Sequence, residues 1–204
     1  MSGNPGGGAF LPLRFPRPGK KIYQILFSLF IFLLAVLPAH GQKTAIKDLV
    51  ITNSKQDLLV FFTLQDAFSK EMEEAVRNGI PVTFTFTLEV KEVREGWMDS
   101  ELASVSFDHI LSYDSLKDEY YVQKGESNGR KVVFDHLNEA IKVMCEINGY
   151  RLLPVNQLHS DKDYMLRVRA SLVKKELPFK LHYLIPFYSL WGFTTDWVTL
   201  PFRY

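Results

Sequence analysis

Four histidines beyond the first 41 residues are the first candidates for chemistry in this sequence. They are His109, His136, His159 and His182. No two of them have the spacing of a metal-binding pair, and a single cysteine, Cys145, cannot complete a structural zinc site. His109 falls on the apolar face of a predicted strand. A core imidazole satisfied by the backbone is the favoured interpretation, and a catalytic histidine beside a carboxylate is the alternative.

The short motifs that bind phosphate or support hydrolysis are missing from the sequence. It has no Walker loop, no glycine-rich dinucleotide motif, no serine nucleophile elbow and no zinc-protease motif. Asp161 and Asp163 are spaced as in a calcium loop, but the glycine and the distal glutamate of an EF-hand are missing, which favours a turn. We therefore expect no catalytic residue, no metal site and no cofactor.

An aromatic stretch from residue 177 to residue 193, interrupted by two prolines, is the best candidate for binding. Its aromatic side chains are Phe179, Tyr183, Phe187, Tyr188, Trp191 and Phe193. Large, rigid aromatic side chains dominate binding hot spots, so Phe187, Tyr188 and Trp191 are the candidate partner contacts. A long loop that covers the core is the favoured interpretation of this stretch, and an aromatic surface that contacts a partner or the membrane interface is the alternative.

The amino-terminal segment has the order of features that directs export. Residues 1–19 are rich in glycine and proline, which predicts a disordered tail. Residues 20–41 begin with basic side chains, continue with an apolar run from Ile25, and end in small residues. This order predicts a signal peptide with cleavage between Gly41 and Gln42.

The alternative is a signal anchor that stays uncleaved. Residues 22–38 would then form a transmembrane helix of about 25 Å, slightly shorter than a hydrocarbon core of about 30 Å. The basic side chains precede the apolar run, so both outcomes keep the N-terminus in the cytoplasm. We therefore expect residues 42–204 to be periplasmic, secreted or anchored to the inner membrane with the domain facing the periplasm.

Composition indicates a globular domain and argues against binding of nucleic acid. Hydrophobic residues make up 47% of the 204 residues and charged residues 23%, which is typical of a folded chain. The first 41 residues hold four basic and no acidic side chains, so the remainder carries 20 basic and 23 acidic ones, a net charge of −3. A mildly acidic domain lacks the basic surface that a phosphate backbone requires. The membrane is expected as a partner only through the N-terminal segment, if that segment is uncleaved.

Alternating apolar and polar residues predict a mostly β domain. The clearest strand begins at Val82, and two further long strands span residues 102–114 and 164–173. Shorter strands are predicted at residues 46–52, 58–64, 119–124, 131–134 and 194–200. In the clearest strand, Val82, Phe84, Phe86, Leu88 and Val90 face inward, and Thr83, Thr85, Thr87, Glu89 and Lys91 face outward.

Two short helices are predicted among the strands. The first follows Asp66 as its N-cap and ends at Asn78; the second follows Asp135 and ends at Asn148. Cys145 lies on the apolar stripe of the second helix, as a small buried hydrophobe. The predicted fold is of the α+β class and mostly β, an antiparallel β-sandwich-like domain with two short helices, preceded by the signal or anchor helix.

The order of several motifs resembles a known family. The motifs are Gly79-Ile80-Pro81 before a Phe-Thr-Phe strand, the stretch from Glu89 to Trp97, Leu111-Ser112-Tyr113-Asp114, Leu137-Asn138-Glu139-Ala140, the strand from Leu166 to Leu172 with Arg169, Leu177-Pro178, and Trp191 with Asp196-Trp197. Together they resemble the exported bacterial family called domain of unknown function 4390, over essentially the whole chain after the signal. The resemblance implies a secreted or membrane-anchored protein with no catalytic residues to carry over. It also implies a gene often found beside a sensor histidine kinase of the nitrogen-regulation type.

Three functions follow from the sequence. The first is an exported, non-enzymatic domain that acts by contact with an unknown envelope protein, as an accessory to envelope sensing. The second is a carrier whose β layers enclose an apolar small molecule, in a cavity lined by Phe84, Phe86, Phe107 and Tyr113. The third is an unrecognised hydrolase, with His109 beside a carboxylate in a cleft.

Overall fold

Alternation of side chains builds nine strands in the part of the chain that the structure describes. The structure is a computed structural model and describes residues 43–94, 96, 99–172 and 192–204. The strands are β1 (Ala45–Asn53), β2 (Asp57–Gln65), β3 (Val82–Glu92), β4 (Ser100–Asp114), β5 (Glu119–Lys124), β6 (Lys131–Phe134), β7 (Glu146–Pro154), β8 (Asp163–Leu172) and β9 (Val198–Arg203). The helices are α1 (Lys70–Arg77) and α2 (Leu137–Cys145), and short 3-10 turns span Gly125–Ser127 and Val155–Gln157.

The strands form two antiparallel sheets. The smaller has the order β1-β2-β7, and the larger has the order β6-β5-β4-β3-β8-β9. The prediction of a mostly antiparallel β domain with two short helices is confirmed. The predicted signal or anchor helix lies outside the described residues, and within them no helix is long and apolar enough to cross a membrane.

One hydrophobic core lies between the inner faces of the two sheets. Phe62 of β2 meets Phe86 of β3 edge to face, with ring centroids 5.7 Å apart. The inward residues predicted for β3 are all buried, because side chains that alternate along a strand reach the same face. Thr83 departs from this pattern: it was predicted to face outward, but it is buried and lies opposite Ile110 of β4.

Helix α1 begins later than the sequence pattern predicted. Its N-cap is Ser69, whose Oγ accepts a hydrogen bond from the backbone N–H of Met72 at 3.3 Å. Asp66 instead adopts a left-handed backbone with φ 53°, which turns the chain between β2 and the helix. The predicted end at Asn78 is confirmed.

Helix α2 ends earlier than predicted, and the chain passes directly into β7. Asn148 and Gly149, predicted to stop the helix, lie inside that strand. Gly149 (φ 73°) forms a β-bulge in β7. Tyr150 pairs with Val60 and Asn148 pairs with Phe61, so Gly149 between them has no partner residue in β2. An Asn-Gly pair is common both at helix ends and in β-bulges. The sequence pattern predicts a helix end here, whereas the structure has a bulge.

Candidate functional site

A buried polar cluster occupies the inner face of the larger sheet, where β4 and β5 pair. His109 of β4 lies directly opposite Lys124 of β5, and the His109 side chain is 0% exposed. Its Nδ1 lies 2.7 Å from the carbonyl oxygen of Met144. Its Nε2 lies 2.8 Å from Oε2 of Glu126. Both ring nitrogens are therefore engaged.

These two contacts give each nitrogen of the His109 ring a hydrogen-bond partner. The Met144 carbonyl can only accept a hydrogen bond, so Nδ1 donates. Burial raises the pKa of the Glu126 carboxyl, but the hydrogen bond and positive charge of His109 outweigh burial and hold this pKa below its usual value. The Glu126 carboxylate is therefore the second hydrogen-bond partner of the buried ring, at Nε2.

His109 and Lys124 together close the C-terminal end of α2. The Met144 carbonyl belongs to the last turn, whose carbonyls lack partners within the helix. Lys124 Nζ donates to the carbonyl of Glu146, the residue that follows the helix, at 2.8 Å. Burial lowers the pKa of the Lys124 ammonium, against the nearby carboxylates of Glu126 and Glu146. The Lys124 ammonium opposes the negative pole of the helix dipole, and His109 occupies a carbonyl of the last turn, so the cluster stabilises the point where α2 ends and β7 begins.

Gly125 allows Glu126 to reach His109. A Cβ atom at Gly125 would lie 3.0 Å from the carbonyl oxygen of Asp108 and 3.1 Å from its nitrogen. These are backbone atoms of a paired strand and cannot move aside as a side chain could. A larger residue at Gly125 would therefore push the 3-10 turn, and Glu126 with it, away from β4.

Sequence reasoning identified His109 but missed Lys124, Gly125 and Glu126. The available signal was the alternation of β5, which puts Lys124 on the same face as the buried Val122. A buried-face lysine calls for a polar partner. Which residue is that partner depends on how β4 pairs with β5. The pattern within a single strand does not predict this pairing.

The cluster does not present a histidine for catalysis. A general base needs a nitrogen within hydrogen-bond reach of a substrate. Both nitrogens of His109 contact other groups of the described chain, and the ring is closed to solvent. The geometry agrees with the interpretation of a core imidazole satisfied by the backbone, with a carboxylate as its second partner.

Aromatic side chains fill the region in which the carrier hypothesis places a cavity. Phe84 and Phe86 are fully buried. The ring of Phe86 lies 5.7 Å from that of Phe62 and 5.9 Å from that of Phe107, and the ring of Phe84 lies 5.4 Å from that of Phe193. Close ring packing of this kind does not favour an enclosed ligand among these side chains.

An open pocket of about 650 Å³ lies beside α2 and was not predicted. It is formed by the end of β2, the start of α1, one face of α2 and the bulge of β1. Its apolar lining is Leu64, Ala67, Phe68, Ile141 and Cys145, and its charged lining is Asp48, Asp66, Glu73, Lys142 and Glu146. These residues come from distant parts of the chain, so only the tertiary structure brings them together.

The short strand β6 forms one edge of the larger sheet. In the described part of the chain it pairs with β5 alone. Val132 is 42% exposed and Val133 is 48% exposed, on opposite faces of the strand. At the nearby turn between β4 and β5, Leu116 is 97% exposed.

The residues predicted from sequence as a contact or cleavage site fall outside the described residues. These are Phe187, Tyr188 and Trp191 of the aromatic stretch, and Gly41 and Gln42 of the cleavage site. Phe193, the last residue of the stretch, is described: it is half-buried, with its ring against Phe84.

Comparison with known proteins gives one match. The model of a protein family described as "Domain of unknown function (DUF4390)" matches residues 41–201. No curated protein and no solved structure matches the chain.

Proposed function

We propose that this chain, which belongs to the DUF4390 family of domains of unknown function, is an exported, non-enzymatic β domain that acts by protein–protein contact. Its place is the cell envelope, and its role there is accessory to envelope sensing. The observation that supports contact is the exposed apolar edge of β6.

A strand edge presents a row of N–H and C=O groups that can pair with a strand of another protein. The edge of β6 offers these groups next to Val132 and Val133, two apolar side chains that solvent reaches. Lys131, the basic residue of this strand, lies with its ammonium 5.9 Å from the ring centroid of Tyr121. The charge therefore lies over the neighbouring strand β5 and leaves the valines uncovered.

The other sheet edges carry features that discourage pairing. The edge strand β1 has a bulge at Asp48, where its register shifts between Lys47 and Val50. The edge strand β7 is bulged opposite β2, and the edge strand β9 contains Pro201, which cannot donate a backbone hydrogen bond. In the described chain β6 lacks both a bulge and a proline, so it is the edge best suited to strand addition.

The proposal of export rests on the amino-terminal sequence. Four basic residues precede an apolar run that ends in small residues at positions 39 and 41. The domain would be periplasmic, secreted or anchored by residues 22–38, and a cytoplasmic protein would not need this segment.

The contact is tested by placing a photo-crosslinking amino acid at Val133 in cells that produce the protein. The matched control is the same amino acid at Val50, which is 51% exposed and lies on the bulged strand β1. We expect a discrete adduct with another envelope protein from position 133 and none from position 50. A crosslinker placed at Val132 should give an adduct with the same protein. Adding Val133→Lys to that variant should abolish the adduct from position 132 and leave the melting temperature unchanged. Equal adducts from positions 133 and 50, or an adduct that survives Val133→Lys, would contradict contact through β6.

The export proposal is tested by mass spectrometry of the protein recovered from fractionated cells. A chain that begins at Gln42 supports cleavage, and an intact hydrophobic segment in the membrane fraction supports an anchor. A soluble cytoplasmic pool of full-length chain would overturn both forms of the proposal.

A further inference from the structure

The pocket beside α2 combines two properties that select a ligand by its chemistry. Its volume of about 650 Å³ lies within the range of roughly 300–1,000 Å³ that is typical of small-molecule sites. Of its five apolar lining residues, Leu64, Ala67 and Cys145 are buried, and Phe68 and Ile141 are half-buried. The charged residues around its mouth are exposed or half-buried.

The charges at the mouth are unbalanced. Four carboxylates and a single ammonium, that of Lys142, line the pocket. Within the described chain, none of the four carboxylates lies within ion-pair distance of a basic side chain. The ammonium of Lys124 also lies near Glu146, but the carboxylates still outnumber the ammonium groups, so the mouth attracts cations and repels anions.

The two aspartates of the mouth are positioned by unusual backbone geometry. Asp48 has φ 55° inside the bulge of β1, and Asp66 has φ 53° at the end of β2. Left-handed backbone is uncommon outside glycine, although aspartate tolerates it better than most residues. Asp48 Oδ2 also accepts a hydrogen bond from Thr63 Oγ1 at 3.2 Å, which fixes the direction of this carboxylate.

We propose that this pocket binds a small amphiphilic cation. Its apolar part would lie against Leu64, Ala67 and Ile141, and its positive group would lie among the carboxylates of the mouth. A small molecule is favoured over a protein segment because the apolar floor is confined to the pocket. The site shares no residue with β6, so it stands independently of the proposed protein contact.

Three probes with the same ten-carbon chain separate charge from apolar contact: decyltrimethylammonium, decyl sulfate and decyl maltoside, each used below its micelle concentration. Calorimetry should give saturable binding of the cation to one site, and methyl signals of Ile141, Leu64 and Ala67 should shift in NMR spectra. The sulfate should bind at least about tenfold more weakly, because four carboxylates face it. Equal affinity for the cation and the sulfate would overturn the proposal.

Variants locate the binding and test the role of each charge. Glu73→Gln should weaken binding of the cation by about two- to fivefold, the size expected for one exposed charge pair, and should leave the maltoside unaffected. The matched control is Glu74→Gln on the same helix, because Glu74 is exposed and does not line the pocket. Lys142→Gln should tighten binding of the cation by a similar factor. The same effect from Glu73→Gln and Glu74→Gln would contradict a localised site.

A steric variant gives a test that does not depend on charge. Asn138 is exposed on α2 and lines the pocket, so Asn138→Trp should narrow the mouth and weaken binding of the cation and the maltoside alike. Glu139→Trp, one residue further along the helix, lies outside the lining and should leave binding of the maltoside unchanged. Binding of a lysine-rich apolar peptide without binding of decyltrimethylammonium would overturn the assignment to a small molecule.

Discussion

Nε2 of His109 lies 2.8 Å from Oε2 of Glu126, and the side chains are 0% and 14% exposed. A hydrogen bond between a carboxylate and an imidazole ring so far removed from solvent contributes modestly, because desolvation of the carboxylate offsets much of the attraction. Loss of one partner is costly, because the remaining polar group is left buried without a hydrogen bond. The pair therefore fixes the geometry around the end of α2 more than it adds to total stability.

Glu126 substitutions should separate the loss of charge from the loss of hydrogen bonding. Glu126→Ala leaves Nε2 of His109 without a partner and should lower the free energy of unfolding by about 3 kcal/mol. Glu126→Gln keeps a side chain that can hydrogen-bond Nε2 of His109 and should cost about 1 kcal/mol. Chemical denaturation measures both, with the exposed Glu101→Gln as a control that should stay near zero. Equal losses from the two Glu126 variants would mean that the hydrogen bond is unimportant.

The pH dependence of stability should carry the contribution of Glu126. Its carboxyl has a folded-state pKa below the ordinary value of 4.5, so the unfolded chain binds its proton first as the pH falls. The contribution is therefore fully present above about pH 5 and is lost as the pH falls through the folded-state pKa. The difference in unfolding free energy between the wild type and Glu126→Gln should shrink over that window. A difference that stays constant down to about pH 3 would show that this carboxyl does not titrate as described.

Gly125→Ala should destabilise the fold by displacing the turn that carries Glu126. The added Cβ would meet backbone atoms of Asp108 at 3.0 and 3.1 Å, and overpacking of this kind typically costs about 1–3 kcal/mol. A double-mutant cycle tests the mechanism, since the effect of Gly125→Ala should be smaller in the Glu126→Ala background. Additive effects would mean that the glycine acts independently of the contact between Glu126 and His109.

Cys145 should be unreactive in the native protein. Burial raises the pKa of its thiol to about 12 from the ordinary 9.0, so almost no thiolate forms at about pH 8. Alkylating reagents should label it only after denaturation, and Cys145→Ala should cost about 1 kcal/mol or somewhat more through lost packing.

The raised pKa of the Cys145 thiol also predicts that the free energy of unfolding falls as the pH rises from 9.0 towards 12, because the thiol of the unfolded chain ionises first. Rapid labelling of the native chain would contradict the burial of this thiol.

Thr83 and Thr85 should respond in opposite directions to replacement by valine. Thr83 is buried, and its Oγ1 has no hydrogen-bond partner in the described chain, so Thr83→Val should stabilise the fold by up to about 1 kcal/mol. Thr85 Oγ1 donates to Asp108 at 2.6 Å, and Thr85→Val should destabilise the fold by about 1 kcal/mol. Thermal unfolding of both variants decides this, and a loss of stability from Thr83→Val would indicate that its hydroxyl has a partner after all.

Local patterns predicted most elements of the fold because each depends on neighbouring residues. The strands predicted at 119–124 and 131–134 coincide with β5 and β6, since alternation and flanking turns are properties of the sequence. The ends of the helices were less predictable. Asp66 and Asn148 are residues that both cap helices and form turns or bulges, and the choice between these depends on contacts with distant strands.

The sequence by itself determined the antiparallel β class, the buried face of β3, and the assignment of His109 to an apolar face. It did so because side-chain direction in a strand alternates with a period of two. The tertiary structure alone decided that Lys124 lies opposite His109, that Glu126 reaches its ring, and that residues from β1, β2, α1 and α2 enclose one pocket. These relationships depend on strand register and on which segments pack together. Register is set by the match of apolar faces between neighbouring strands and by the geometry of the connecting turns, which the pattern within one strand does not contain.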